Sequence, residues 1–281
     1  MRVDAHQHFW QLAHREGQWP PASLQAIHRD FGPQDLAPQL QAAGIDATVL
    51  VQSLPSVADT RWMLSVAAQT PWVRGVVGWV DFKAPDAPEQ IAELARDPLL
   101  KGLRPMLQDL PDPDWIADPA CDAAARAMQR HGLVFDALVL PQQLPGLQRF
   151  ARRHPDLPII IDHGAKPLIA SGEIEPWRTD MAALAALPQL HCKVSGLLTE
   201  AGDRRDGAAL QPYVQSLWAL FGPKRLLWGS DWPVLNLAAD YAGWWALAHE
   251  LAQHFSPAPR PDDLTALFGG NAARLYRLDP C

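Results

Sequence analysis

Eight short apolar runs constrain this chain more than any other feature. They lie at 3–8, 47–52, 75–81, 102–107, 133–138, 158–163, 191–195 and 226–231. Runs such as Ile159-Ile160-Ile161 lack polar alternation, so strands made of them are buried on both faces. That is the pattern of parallel strands covered by helices. Helical segments fall between most of them, at 55–70, 86–96, 119–131, 142–154, 175–187, 207–221 and 241–254, with a last one near 261–276. Eight β/α units in 281 residues predict one α/β domain over 1–281, a single (β/α)8 TIM barrel. The competing fold, a doubly wound open sheet, would usually carry a Gly-rich phosphate loop after its first strand. None follows here. The first connection, 9–32, is long and carries Trp10, Trp19, His28, Arg29 and Asp30. Long connections in compact domains are often functional, and this one reads as a lid over the barrel mouth.

Composition narrows the function classes. A formal net charge of -7, without a basic patch, argues against nucleic-acid binding. Cys121, Cys192 and Cys281 are far apart and match no zinc spacing, so free thiols in a reducing compartment are expected. A first strand starting at Val3 leaves no room for a signal peptide. No apolar run approaches the roughly 18 residues that span a membrane. A cytoplasmic protein without membrane partners is the expectation, and the oligomeric state stays open. Twelve tryptophans are many for this length. Trp10, Trp19, Trp79 and Trp232 flank the candidate site segments, where flat indole faces suit the C–H faces of a sugar ring. Trp218, Trp244 and Trp245 read as packing.

Active sites of such barrels lie at the C-terminal strand ends. The polar residues there are His6 and His8, Gln52, Trp79 and Asp81, Arg104, Asp136, Asp162 and His163, Lys193 and Ser195, then Ser230 and Asp231. Burying these without purpose would be costly. A period of two turns His6 and His8 the same way, with Asp4 behind them. Adjacent imidazoles ligate a metal or polarise a carbonyl. Plainer roles compete. Asp231 can cap a helix, His163 can bond backbone, and Arg104 can pair with Asp81 or Asp136. Lys166, His28 and Asp30 can be loop charges, and Gln52 and Ser195 can satisfy backbone groups. No Gly-x-Ser-x-Gly elbow is present, so Ser195 and Ser230 are poor nucleophiles.

Asp4-x-His6-x-His8, the segment Asp162-His163-Gly164-Ala165-Lys166-Pro167 and Gly229-Ser230-Asp231-Trp232-Pro233 together resemble the amidohydrolase superfamily. The likeness runs from Val3 to the last helix. It is strongest to the branch of sugar-lactone and pyrone-lactone hydrolases. The resemblance implies Asp231 as general base and His6, His8 and His163 as stabilisers of a developing oxyanion. Arg104, a permanent cation on a strand, suits a carbonyl or carboxylate, and Trp10, His28, Gln52, Trp79, Lys166 and Trp232 are the candidate substrate contacts. Two-metal members use a carboxylated lysine on the fourth strand, where this chain has Arg104, and a strand-five histidine that 133–138 lacks. Two metals are therefore not expected. The resemblance leaves two states: one divalent ion, zinc, on His6, His8, His163 and Asp231, or catalysis without metal. Few cations favour a neutral sugar lactone, of the L-fucono or L-rhamnono type, over a pyrone dicarboxylate. A zinc-dependent decarboxylase and a non-catalytic sugar-binding barrel are the alternatives.

Overall fold

The computed structural model describes residues 1–15 and 17–278. Its strands are β1 (Val3–Gln7), β2 (Ala47–Val51), β3 (Val73–Gly78), β4 (Leu100–Leu103), β5 (Val134–Ala137), β6 (Ile159–Ile161), β7 (Leu190–Val194) and β8 (Leu226–Trp228). They form one parallel sheet in sequence order. The seam closes just beyond β8. Asp231 N donates to His6 O at 2.8 Å, and His8 N donates to Trp232 O at 2.7 Å. The expected (β/α)8 barrel is what forms, and its closing contacts lie within the candidate site itself.

The outer helices are α1 (Pro33–Ala43), α2 (Val57–Ala68), α3 (Ala87–Leu94), α4 (Asp122–His131), α5 (Leu144–Arg153), α6 (Trp177–Ala185), α7 (Gly207–Phe221) and α8 (Tyr241–Gln253). The sequence pattern does not single out α1, because Pro33 and Pro38 interrupt it. Its start is nonetheless well specified: Pro33 sits in the first turn, and Gly32 N donates to Asp35 Oδ2 at 2.9 Å. The expected last helix divides into α9 (Pro261–Thr265) and α10 (Asn271–Leu275), because Phe268 and Gly269 leave helical geometry between them.

The apolar residues form two layers. Leu50, Val76, Leu103, Phe135, Ile161 and Trp228 pack with the helices. Val3, Ala5, Val49, Val77, Val134, Ile160 and Leu227 cluster with Ala272, Tyr276 and Leu278 from the C-terminal segment. Strand alternation then carries Val134 to Asp136 and Ile160 to Asp162 on the same side. A charged layer thus stands above an apolar one. Cys121 and Cys192 are free and buried, and Cys281 lies outside the described residues. No helix among the described residues is long and apolar enough to cross a membrane.

Candidate active site

The site begins with an irregularity in β1. Its register with β2 shifts between Asp4 and Gln7. Asp4 accepts from His6 N at 3.1 Å, from Ser230 N at 2.8 Å and from the Tyr241 hydroxyl of α8 at 3.1 Å. It ties β1 to the segment after β8 and to α8. His6 and His8 meet Asp231 instead. The Nε2 atoms of His8, His6 and His163 lie 3.1, 3.7 and 3.8 Å from one oxygen, Asp231 Oδ1. All four residues are 4% exposed or less, so these charges act with little solvent screening.

Burial and charge set their protonation. Burial alone would push the Asp231 carboxyl up, but the imidazoles of His163, His8 and His6 outweigh it and hold it well below the usual carboxylate range. Burial draws His163 down to about 4. Burial also lowers His8, and it lowers His6 well below an ordinary histidine, with Lys193 adding to the effect on His6. Asp231 is thus ionised and faces three neutral rings at pH 7.

Beneath them a buried ion network runs down the barrel. Arg104 Nη1 donates to Asp162 Oδ2 at 3.1 Å and approaches His6 Nε2 at 3.3 Å. Lys193 Nζ lies 3.1 Å from Asp162 Oδ1 and 3.2 Å from His6 Nδ1, and it pairs with Asp136. Asp136 accepts from the Tyr276 hydroxyl at 2.7 and 2.9 Å. Arg104 is therefore paired, with Asp162 rather than Asp81 or Asp136. Gln52 lies behind it: its amide donates to Arg104 O at 2.6 Å, and Arg104 Nη2 donates to Gln52 O. Only Tyr276 in this network carried no signal in the sequence, because it arrives from the far end of the chain.

A cavity of about 400 Å³ opens above the four residues. Its wall includes His8, Arg104, His163, Lys166 and Asp231 among the expected residues. Trp19, one of the expected flanking tryptophans, joins them with Ser53, Gln108, Asp109, Thr199 and Glu200. The tryptophans divide. Trp19 lines this cavity, whereas Trp79 lines a neighbouring one with Trp115. Trp10 is fully buried, donates to Arg29 O at 2.8 Å and packs edge-on against Trp19 and Phe31. Trp232 is buried against Phe9 and Phe31. His28 is exposed and faces Pro20 O at 3.0 Å, away from the cavity wall. These three support the first connection rather than the cavity surface. Trp19, Gln108, Asp109 and Glu200 sit on connections, where no periodicity marks them.

A model of the amidohydrolase family matches residues 3–278. The chain belongs to the amidohydrolase family. An L-fucono-1,5-lactonase of Burkholderia ambifaria is 55% identical over 99% of this chain and 96% of that protein. One of Burkholderia multivorans is 37% identical over 99% of this chain and 96% of its own. The crystal structure of an amidohydrolase from Burkholderia multivorans with bound zinc superimposes with a TM-score of 0.90 at 35% identity, covering 99% of this chain and 100% of that one.

The family's metal chemistry can be tested on this amidohydrolase's own donors. His6, His163 and Asp231 each offer a ligand atom within 4.8 Å of the others. His8 Nδ1 lies 2.7 Å from Val51 O, so that nitrogen carries the proton and Nε2 presents a lone pair to the Asp231 carboxylate. Two lone pairs 3.1 Å apart call for a proton or a cation between them. Burial disfavours the imidazolium. The donor set therefore fits one divalent ion such as zinc.

Backbone strain marks the same loops. His163, Ala165, Lys166 and Asp231 all have φ between 49° and 61°. Non-glycine residues hold that left-handed conformation at a cost of about 1–3 kcal/mol each, typically at functional sites. Gly196, at φ 61°, lies so close to His163 that a Cβ there would stand 2.5 Å from Nδ1. His163 Nδ1 meets Ser195 Oγ at 2.9 Å, which fixes the ring and aims Nε2 at Asp231.

Proposed function

We propose that this amidohydrolase is a lactonase that opens an L-fucono-1,5-lactone-type sugar lactone to its aldonic acid. The 55% identity to an L-fucono-1,5-lactonase over nearly the full chain carries the reading. The cavity's charges support a neutral substrate. Both lysine or arginine side chains on its wall are paired, Arg104 with Asp162 and Lys166 with Glu200. Asp109 and Asp231 add negative charge. A pyrone dicarboxylate would meet two cations, each already countered by a carboxylate, beside Asp109 and Asp231.

The chemistry follows from the geometry. A water at Asp231 attacks the lactone carbonyl and gives its proton to the carboxylate. The carbonyl oxygen becomes an oxyanion beside Arg104, whose Nε–H has no partner among the described residues. The tetrahedral centre collapses, the ring C–O bond breaks, and Asp231 returns the proton to the leaving oxygen. A carboxylate held so far below its usual range is a weak base, so an electrophile that acidifies the water would help it. A divalent ion on His6, His163 and Asp231, with His8 beside it, would supply that acidity when bound. Trp19 roofs the cavity from the first connection, which serves as its lid. The buried thiols fit a cytoplasmic location.

The test is acid release from L-fucono-1,5-lactone and L-rhamnono-lactone in a weak indicator buffer, beside elemental analysis. Acceleration of L-fucono-1,5-lactone hydrolysis is expected. Rates equal to spontaneous hydrolysis would refute the reading. Activity that survives chelation would remove the ion from the mechanism and leave the lactonase reading intact.

A further inference from the structure

The Lys166–Glu200 pair does more than close a charge balance. Lys166 follows the turn after β6, and Glu200 follows β7. Lys166 Nζ lies 3.2 Å from Glu200 Oε1, and both residues line the cavity that holds Asp231. Ala170 N donates to Glu200 O at 3.0 Å, so the two connections are already joined through backbone. The ion pair is not needed for that join. The side chains are 21% and 26% exposed, in the cavity that also holds His8, Arg104, His163 and Asp231.

Donor arithmetic shows what remains available. An ammonium has three N–H donors, of which the ion pair with Glu200 engages at most one. The second Glu200 oxygen, Oε2, has no partner among the described residues. The pair thus offers two donors and a charged acceptor side by side. A hydroxyl both donates and accepts, so adjacent ring hydroxyls can satisfy both members at once. A dicarboxylate can satisfy only the lysine, and Glu200 would repel it.

We propose that Lys166 and Glu200 form the specificity subsite for a pair of adjacent hydroxyls on the lactone ring. This rests on the sugar-lactone reading above. The two residues bind the part of the ring that does not react, and Asp231 and Arg104 act at the carbonyl. Positioning by remote hydroxyls raises the rate for the hydroxylated lactone alone.

The experiment compares Glu200→Gln and Lys166→Met with the parent on two substrates. One is L-fucono-1,5-lactone; the other is δ-valerolactone, the same ring without hydroxyls. Charge-assisted hydrogen bonds set the expected loss in kcat/KM on the sugar lactone at about tenfold to a hundredfold per variant. On δ-valerolactone each variant should stay within about threefold of the parent. Equal losses on both lactones would assign the pair to loop support and overturn the proposal. No loss on either would overturn it too. Melting temperatures are measured alongside, and Glu200→Gln, isosteric and partly exposed, keeps the test open if Lys166→Met is poorly folded. A parent inactive on both lactones would sink the lactonase reading itself, a result distinct from any variant pattern.

Discussion

Substituting Gly196 by alanine separates the backbone requirement of the site from its chemistry. Gly196 has φ 61°, a conformation that costs an L residue about 1–2 kcal/mol. The added Cβ would stand 2.5 Å from His163 Nδ1 and 2.7 Å from its Cγ, whereas ordinary contact begins at 3.4 Å. The ring must therefore retreat by about 0.9 Å, away from its Ser195 partner and out of line with Asp231. A displacement of about 1 Å at a reacting group can cost about 10²-fold in rate, roughly 2.7 kcal/mol of barrier. Gly44→Ala is the matched control. Gly44 has φ 65°, but a Cβ there meets only the end of the Arg2 side chain, at 2.8 Å, which can swing aside. Both variants should lose about 2–8 °C in Tm. Only Gly196→Ala should lose about two orders in kcat on L-fucono-1,5-lactone. Equal kcat in the two variants, with equal Tm, would show that His163 need not hold its place and would refute the reasoning.

Asp231→Asn should reduce kcat by about 10²–10⁴ with an unchanged circular dichroism spectrum; activity within tenfold of the parent would remove Asp231 as the base. Tyr276→Phe takes a hydroxyl from buried Asp136 and should cost about 1.5–3 kcal/mol in urea unfolding; an unchanged midpoint would show the network adds nothing to stability. Burial holds His163 neutral down to about pH 4, so kcat/KM should stay level from pH 8 to about 5 and fall only as that ring takes up a proton. A midpoint near 6.5, where an ordinary histidine titrates, would contradict the structural account of His163.

The barrel was legible because parallel strands buried on both faces read as uninterrupted apolar runs. All eight expected runs hold a strand, and their ends shift by a few residues. The run at 226–231 is an instance: β8 stops at Trp228, Gly229 then lies so close to β1 that a Cβ there would meet His6 Cβ at 2.7 Å, and Asp231 takes φ 60°. Asp231, His6, His8 and His163 were legible from motif order, since strands 1, 6 and 8 bring distant segments to one mouth. The position of Asp4 was not. Strand period places it with His6, yet the register shift in β1 sends its carboxylate to Tyr241. Trp10 and Trp232 look like exposed platforms by composition, but packing against Phe31 buries both. Trp19, Gln108 and Glu200 depend on how connections fold over the mouth, and that is decided by tertiary contacts such as Arg15 Nη2 donating to Ser53 Oγ at 2.8 Å.

The charges at the barrel's centre make ion binding testable without measuring turnover. Arg104 and Lys193 supply two positive charges; Asp4, Asp136, Asp162 and Asp231 supply four negative ones. The imidazoles are neutral at pH 7, so the cluster carries two uncompensated negative charges, one of them directed at the cavity from Asp231. A neutral lactone tolerates this field, and the aldonate product, an anion, is pushed out by it. A divalent ion on His6, His163 and Asp231 would cancel that negative charge and remove the repulsion of the product. Calorimetry should therefore find weak aldonate binding to chelator-treated protein and at least tenfold tighter binding after zinc is restored, about 1.4 kcal/mol. The neutral sugar alcohol of the same chain length should bind equally in both states. Equal aldonate affinity with and without zinc would mean that the ion does not occupy the Asp231 cluster, whatever its effect on rate.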